Sequence, residues 1–255
     1  MHGTHPGKGV LQDTGSTAVY PLSSIKIDPN KLLADLSRME EGLWVIQHDN
    51  AENWAGIALY SVDGDARNLR VTPQLPVYKT AAGEKCPYIT NELLPQFGAQ
   101  WLRVLFYRLD AGTQIAEHRD IGTNRRILGI TRIHVPVITN DNVLMYVGGK
   151  PYHFDVGTAW YFDASARHKV ENNSTQDRIH LVIDLKSCDE LDALLKPDTV
   201  KDQLRYRSLA MLYHLGLDQK FCTLEKCLRY MGSREGRTRI YAKMKQIFPG
   251  NPRLN

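Results

Sequence analysis

The chain has 255 residues, of which 42% are hydrophobic and 24% are charged; at this length a single domain buries enough surface to support its own core. This composition is typical of a globular protein and excludes collagen, a coiled coil and extensive disorder as the main architecture. No apolar run approaches the roughly 18 residues of a membrane helix, and the N-terminus lacks the apolar core of a signal peptide, so we expect a cytoplasmic protein without a membrane partner.

The net charge of +4 is unevenly distributed. Residues 191–255 contain 13 basic and 6 acidic side chains, a local charge of +7, and the preceding 190 residues carry −3. A basic segment can bind nucleic acid, but no long block of like charge occurs, which favours solvent-exposed helical faces and disfavours a nucleic-acid partner. The four cysteines form no CxxC pair, which argues against a structural zinc site.

The first part of the chain divides into an arm and a helix. Residues 1–24 are rich in Gly, Ser, Thr and Pro, which predicts a flexible N-terminal arm. Residues 30–41 carry apolar side chains at helical spacing, with Asn30 near the start, and predict a short amphipathic helix.

Short apolar stretches separated by turn residues follow from Leu43 onward. This rhythm is typical of an all-β sandwich or barrel, and no helix-length segments separate the stretches as parallel βαβ units require. We therefore predict a β domain over residues 25–187. The predicted strands lie within residues 42–48, 54–62, 101–109, 127–139, 142–147, 150–156, 158–164, 168–173 and 178–185.

After Leu185 apolar residues recur at helical spacing. We predict a helical C-terminal subdomain over residues 188–255 that packs on the β domain. Its apolar faces can serve to cover a site or to pair two copies of the chain as a homodimer. The helical stretches are residues 189–195, 200–216, 223–231 and 238–248.

The first chemically informative pattern is His118-Arg119-Asp120. On a strand, residues i and i+2 point to the same face, so one imidazole and one carboxylate can reach the same metal ion. His168 is the best candidate for a third ligand, and two histidines with one carboxylate form the facial triad of non-haem iron sites. Alone, the pattern is also compatible with a surface strand that carries both side chains outward.

Arg178 follows His168 by ten residues, after a turn through Asn172 and Asn173. A return strand from Arg178 would bring its guanidinium into the same cavity. A buried arginine needs a partner, and a carboxylate is the natural one because it accepts two parallel charge-assisted hydrogen bonds. The alternative is an arginine at a strand end that faces solvent.

In this order, the motifs resemble the aspartyl/asparaginyl β-hydroxylase family of Fe(II)- and 2-oxoglutarate-dependent dioxygenases, which includes bacterial free-proline hydroxylases. The resemblance covers roughly residues 40–186. The stretches that carry it are WLRVLFYRLDAGTQIAEHRD (101–120), RIHVP (132–136), VGTAWYFDASARHKVEN (156–172) and DRIHLVIDL (177–185).

The resemblance implies a double-stranded β-helix, the jelly roll also found in cupins. It implies Fe(II) bound by His118, Asp120 and His168, which would be the catalytic residues, and 2-oxoglutarate bound through Arg178. Arg132 and His134 fall on one face of their strand by alternation, and the family places their counterparts in the active site. We expect His134 to contact the co-substrate, and Arg132 and Trp160 to contact the substrate.

The predicted activity is hydroxylation of an unactivated C–H bond of an amino acid, free or in a peptide, with 2-oxoglutarate converted to succinate and CO2. Asp120 is present where related halogenases have Gly or Ala, which favours hydroxylation over halogenation. The same triad also serves desaturation and cyclisation, and the basic C-terminal segment leaves open an oxygenase directed at protein or nucleic acid. A non-catalytic β-barrel binding protein would require that the three ligands do not converge.

Overall fold

The computed structural model describes residues 18–47, 54–214 and 233–247. Within these ranges the chain forms two antiparallel β-sheets and several helices. The strands are β1 (Val19–Pro21), β2 (Val45–Gln47), β3 (Trp54–Ser61), β4 (Tyr78–Lys79), β5 (Trp101–Leu109), β6 (Gln114–His118), β7 (Ile130–Ile138), β8 (Val143–Val147), β9 (Lys150–Tyr152), β10 (Trp160–Phe162), β11 (His168–Asn172) and β12 (Arg178–Lys186). The α-helices are α1 (Pro29–Leu36), α2 (Ala81–Glu84), α3 (Asp189–Asp192), α4 (Val200–His214) and α5 (Arg234–Ile247).

The two sheets face each other. The larger has the order β1-β10-β7-β12-β5-β3-β2, with β4 paired to β3, and the smaller has the order β6-β11-β8-β9. One hydrophobic cluster joins them, since it contains Leu109 and Trp160 from the larger sheet and Met145 and Val170 from the smaller. The prediction of a mainly β fold, a double-stranded β-helix or jelly roll, is confirmed.

Side chains on the central strands of the larger sheet alternate between two environments. On β7 and β12, Ile133 and Leu181 face outward into the main core, where α1 and residues 81–97 cover the sheet. Because successive side chains on a strand point to opposite faces, Arg132, Arg178 and their i+2 neighbours face the space between the sheets. On these two strands the outer face therefore supplies apolar side chains to the main core, and the inner face supplies polar groups together with the buried Val182.

The N-terminal region differs in two places from expectation. Helix α1 begins earlier than predicted because the Asp28 side chain accepts hydrogen bonds from the first backbone N–H groups, at 3.0 Å from Asn30 N. It ends at Leu36 instead of residue 41, and the Ser37 hydroxyl donates to the Ala34 carbonyl at 2.8 Å, a local bond that competes with helix continuation. Residues 41–43 form a separate 3-10 turn.

The flexible arm predicted over residues 1–24 reaches less far than expected. Val19 and Tyr20 are buried and belong to β1, which pairs with β10. Residues 1–17 lie outside the described residues, so the remainder of that prediction stays a prediction.

The C-terminal segment is tied to the β domain by ion pairs. Arg125 and Arg126, in the loop before β7, each pair with Asp192 and Asp198, and the Arg126 Nη1 to Asp192 Oδ2 distance is 2.7 Å. Helices α4 and α5 occur where helices were predicted, whereas the predicted helix at 223–231 lies outside the described residues. A distinct subdomain over 188–255 stays a prediction. In the described parts of the chain, no helix has the length and apolar character needed to cross a membrane.

Candidate functional site

His118, Asp120 and His168 converge on one point, and one potential ligand atom from each lies within 4.8 Å of the others. His118 is the last residue of β6, and His168, the first of β11, is its register partner across the smaller sheet. Their ring centroids are 4.2 Å apart. Strand β6 ends before Asp120, unlike the prediction, but the following turn still places its Oδ1 atom 3.7 Å from His118 Nε2.

Backbone carbonyls orient both imidazoles. His118 Nδ1 lies 2.7 Å from the Ala116 carbonyl oxygen, and His168 Nδ1 lies 2.9 Å from that of Ala166. A carbonyl oxygen only accepts, so each Nδ1 carries a proton, and Nε2 is the atom that can offer a lone pair to a metal when the ring is neutral. Burial lowers the pKa of His168 to about 4, which keeps this imidazole neutral at physiological pH.

Asp120 is held by its backbone and by a buried arginine. Its N–H donates to the Ala164 carbonyl at 2.8 Å, and its Oδ2 accepts from Arg132 Nη1 at 3.0 Å, which leaves Oδ1 turned toward the histidines. Burial alone would raise the pKa of Asp120, but the positive charge of Arg132, with smaller contributions from other neighbours, outweighs burial and holds the pKa below its usual value. Asp120 therefore offers an anionic oxygen beside the two histidines.

A row of three charged residues crosses the larger sheet behind Asp120. Asp184 on β12 lies in register between Arg103 on β5 and Arg132 on β7. Its carboxylate accepts from Arg132 Nε at 2.7 Å and from Arg103 Nε at 2.9 Å. The sequence reasoning gave Asp184 no role, although its spacing of six residues from Arg178 places both on the same face of β12.

Arg178, on the inner face of β12, is a buried cation without a carboxylate partner among the described residues. It is 2% exposed and its Nε–H has no hydrogen-bond acceptor. Its guanidinium lies 5.9 Å from the centroid of the Tyr107 ring. Burial lowers its pKa to about 10, so it remains charged at neutral pH. Such a group calls for an anion from outside the chain.

Two further predicted site residues also carry unpaired polar atoms. His134 Nε2 and Trp160 Nε1 are buried without a hydrogen-bond partner, and the two residues are register partners on β7 and β10. Trp160 stacks on Phe154 with ring centroids 4.6 Å apart. His180, which the sequence reasoning left unassigned, lies between Arg178 and His134 and has an unpaired Nε2.

The loop between β10 and β11 connects the metal ligands to the C-terminal helix α4. Asp163 Oδ1 accepts from the Ser165 N–H and from Asn124 Nδ2, both at 3.0 Å, and its other oxygen accepts from Arg205 on α4. Arg119, which points away from the site as expected, donates to the Ser165 carbonyl at 2.7 Å. Arg205 therefore braces the loop whose Ala164 carbonyl holds Asp120.

These donors fit the cofactors that the sequence implied. Two neutral imidazoles and one carboxylate form the ligand set that divalent iron takes in non-haem oxygenases, and the unpaired buried Arg178 fits one end of a dicarboxylate. A comparison with known protein families matches residues 23–187 to Aspartyl/Asparaginyl beta-hydroxylase.

This chain belongs to the aspartyl/asparaginyl β-hydroxylase family. Among curated proteins, it is 23% identical over 191 residues to L-proline cis-4-hydroxylase of Rhizobium meliloti (strain 1021), which covers 72% of this chain and 68% of that protein. The predicted resemblance and the prediction of a hydroxylase enzyme are confirmed.

Solved oxygenase structures are similar in fold. A 2OG-Fe(II) oxygenase family protein from Burkholderia pseudomallei has a TM-score of 0.48 at 14% identity, over 68% of this chain and 85% of that chain. A prolyl-4-hydroxylase from Pseudomonas putida has a TM-score of 0.44 at 11% identity, over 70% of this chain and 97% of that chain.

Proposed function

We propose that this family member is an Fe(II)- and 2-oxoglutarate-dependent dioxygenase that hydroxylates an unactivated C–H bond of an amino acid, free or in a peptide. The convergence of His118, Asp120 and His168, with ligand atoms within 4.8 Å of one another, is the observation that carries the proposal. A non-catalytic barrel has no need to bring these groups together or to fix both imidazole tautomers.

His118 Nε2, His168 Nε2 and Asp120 Oδ1 would hold the iron, and the carbonyls at the two Nδ1 atoms preset the ring orientations. When bound, ferrous iron and 2-oxoglutarate supply the oxidising chemistry: one atom of O2 enters succinate, the other becomes the hydroxyl group of the product, and CO2 leaves. Arg178 anchors the distal carboxylate of 2-oxoglutarate and is in turn neutralised by it.

The formal charges on the inner face favour a substrate with a carboxylate. Arg103, Arg132 and Arg178 face Asp120 and Asp184, a balance of +1. Divalent iron and the dianionic co-substrate would cancel each other, so a formal charge of +1 would remain on the inner face. One carboxylate would pair with this charge, which supports a substrate that carries a carboxylate group.

Arg132 remains our candidate for the residue that binds the carboxylate of the substrate. A guanidinium has five N–H donors, and three of those of Arg132 bond to Asp120 and Asp184. Two donors are left for a ligand. Trp160 would contribute its unpaired indole N–H and an apolar wall, and His134 would lie toward the co-substrate.

Succinate formation tests the proposal. Protein reconstituted anaerobically with Fe(II) is given 2-oxoglutarate, air and one amino acid or short peptide at a time, beginning with L-proline because a relative is an L-proline hydroxylase. We expect succinate to rise with one panel member and that member to gain the mass of one oxygen atom.

The variant His168→Ala should abolish both signals. A loss of two hydrogens in the substrate instead of a gain of oxygen would replace hydroxylation by desaturation or cyclisation. Failure of the wild-type protein to bind Fe(II) or 2-oxoglutarate would refute the proposed function.

A further inference from the structure

Two buried histidines lie beside Arg178, and neither belongs to the metal triad. His180 is two residues from Arg178 on the inner face of β12, and His134 is on the neighbouring strand β7; they are 2% and 7% exposed. Arg178 Nη2 is 2.8 Å from His180 Nδ1, and the same Nδ1 is 3.3 Å from His134 Nδ1. The three side chains form a continuous chain of polar contacts.

The arginine fixes where the protons lie. A guanidinium carries donors only, so His180 Nδ1 must accept from Arg178 and therefore carries a lone pair. The proton of His180 is then on Nε2. Since His180 Nδ1 has no proton, His134 Nδ1 is the donor in the longer contact between the two rings and shares the single lone pair of His180 Nδ1 with Arg178. This leaves a lone pair on His134 Nε2.

The surroundings favour neutral rings. Burial lowers the pKa of both histidines well below 6.5, and the nearby positive charges of Arg178 and, for His134, of Arg132 lower it further. The other groups that act on the pair are His153 on His180, and Asp184 and His168 on His134; Asp184 raises the pKa of His134 without reversing the shift. Neither ring therefore competes with Arg178 as a cation.

We propose that His180 is a positioning residue for Arg178. Its Nδ1 lone pair holds the Nη2 end of the guanidinium while His134 holds the His180 ring, so that the unpaired Nε–H of Arg178 is directed to an incoming carboxylate. This role rests on the proposed function, in which that carboxylate is the distal one of 2-oxoglutarate. It differs from the role of His118 and His168, which are oriented by backbone carbonyls and face the metal.

Calorimetric titration of the anaerobic Fe(II)-loaded protein with 2-oxoglutarate tests the role. We expect His180→Leu to weaken binding by about tenfold to a hundredfold, because a buried hydrogen bond to a charged group is lost. His180→Asn keeps an acceptor oxygen near the position of Nδ1 and should recover most of the affinity. Iron affinity and thermal stability, measured in parallel, should change little in His180→Asn.

A double-mutant cycle with Arg178→Met separates positioning from a structural role. If His180 acts through Arg178, His180→Leu should cause no further loss in the Arg178→Met background. Equal losses in both backgrounds would overturn the positioning role. His214→Leu, an exposed histidine on α4, is the matched control and should bind as the wild type does.

The tautomers inferred for His180 and His134 can be measured independently of 2-oxoglutarate binding. Long-range 1H–15N correlation spectra of the metal-free protein should assign the Nε2–H tautomer to His180 and the Nδ1–H tautomer to His134. The reverse assignment for His180 would overturn the inference even if 2-oxoglutarate binds. Wild-type protein that binds iron but not 2-oxoglutarate would instead refute the proposed function, and the positioning role with it.

Discussion

The negative charge of Asp184 stabilises the folded protein because it pairs with two arginines on the inner face of the larger sheet. The substitution Asp184→Asn tests this contribution. The substitution keeps the shape of the side chain but removes the anion between Arg103 and Arg132. Burial alone would raise the pKa of Asp184, but the two guanidinium groups outweigh it and lower the pKa from 3.8 to about 2. By linkage, this shift corresponds to about 2.5 kcal/mol of folding free energy at neutral pH.

The lowered pKa of Asp184 determines the pH range over which this residue stabilises the fold. A carboxylate whose pKa is depressed in the folded state contributes its full stabilisation above its unfolded pKa and loses it as the pH falls toward the folded value. Asp184 therefore stabilises the fold fully above about pH 4, and this contribution disappears between about pH 4 and pH 2.

The assay is urea denaturation of the wild-type protein and Asp184→Asn from pH 7 down to pH 3. The difference in unfolding free energy should be about 2.5 kcal/mol and constant from pH 7 to pH 5, and it should shrink below about pH 4. Protonation of the buried histidines occurs in both proteins and cancels in this difference. Asp141→Asn, at an exposed position after β7, should change stability by less than about 0.5 kcal/mol. A difference that is absent at pH 7, or undiminished at pH 3, would show that the charge of Asp184 does not stabilise the fold through its two arginine partners.

Two further changes probe the metal centre and its support. His168→Ala should reduce the affinity for Co(II) by more than about a hundredfold, since the loss of a residue that only supports a ligand already costs about 10- to 100-fold. Titration calorimetry measures this affinity, and an unchanged value would show that His168 is not a metal ligand. Arg205→Met should leave the buried Asp163 without its ion-pair partner, and we expect about tenfold weaker Co(II) binding because the loop that holds Asp120 loses its brace. Arg207→Met, exposed on the same helix, is the matched control, and equal effects of the two substitutions would contradict a specific role for Arg205.

The strands and the proximity of His118 to Asp120 were predictable because both depend on local pattern, whereas His168 approaches them from a different strand. Short apolar stretches bounded by turn residues mark β5 and β12. The His118-x-Asp120 pair stays together although β6 ends at His118, because the following turn brings the carboxylate to the histidines. Helix α1 was less predictable, since a single serine hydroxyl at residue 37 ends it within an otherwise helical pattern.

The supporting residues could not be predicted in the same way. Asp184 matters because strand register places it between two arginines that lie 81 and 52 residues earlier in the chain. His180 was visible only as part of a repeated Arg-Ile-His pattern, and its role depends on a contact with His134 across two strands. Register and contacts between distant strands are properties of the folded sheet, and a single sequence does not specify them.

The two faces of β7 and β12 carry different kinds of side chains, and this affects which substitutions this enzyme can accept during evolution. Substitutions at Ile133, Leu181 and Ile183 alter the packed core and should be limited by folding, whereas substitutions at His134 and His180 change polar groups of the proposed co-substrate site. Apart from the ion pairs of Asp184 with Arg103 and Arg132, which also stabilise the fold, selection for stability and selection for a new substrate should act mainly on alternate residues of the same strands. A mutational scan of these strands should separate the two phenotypes with a period of two residues, and variants with altered specificity can be sought at alternate positions without rebuilding the core.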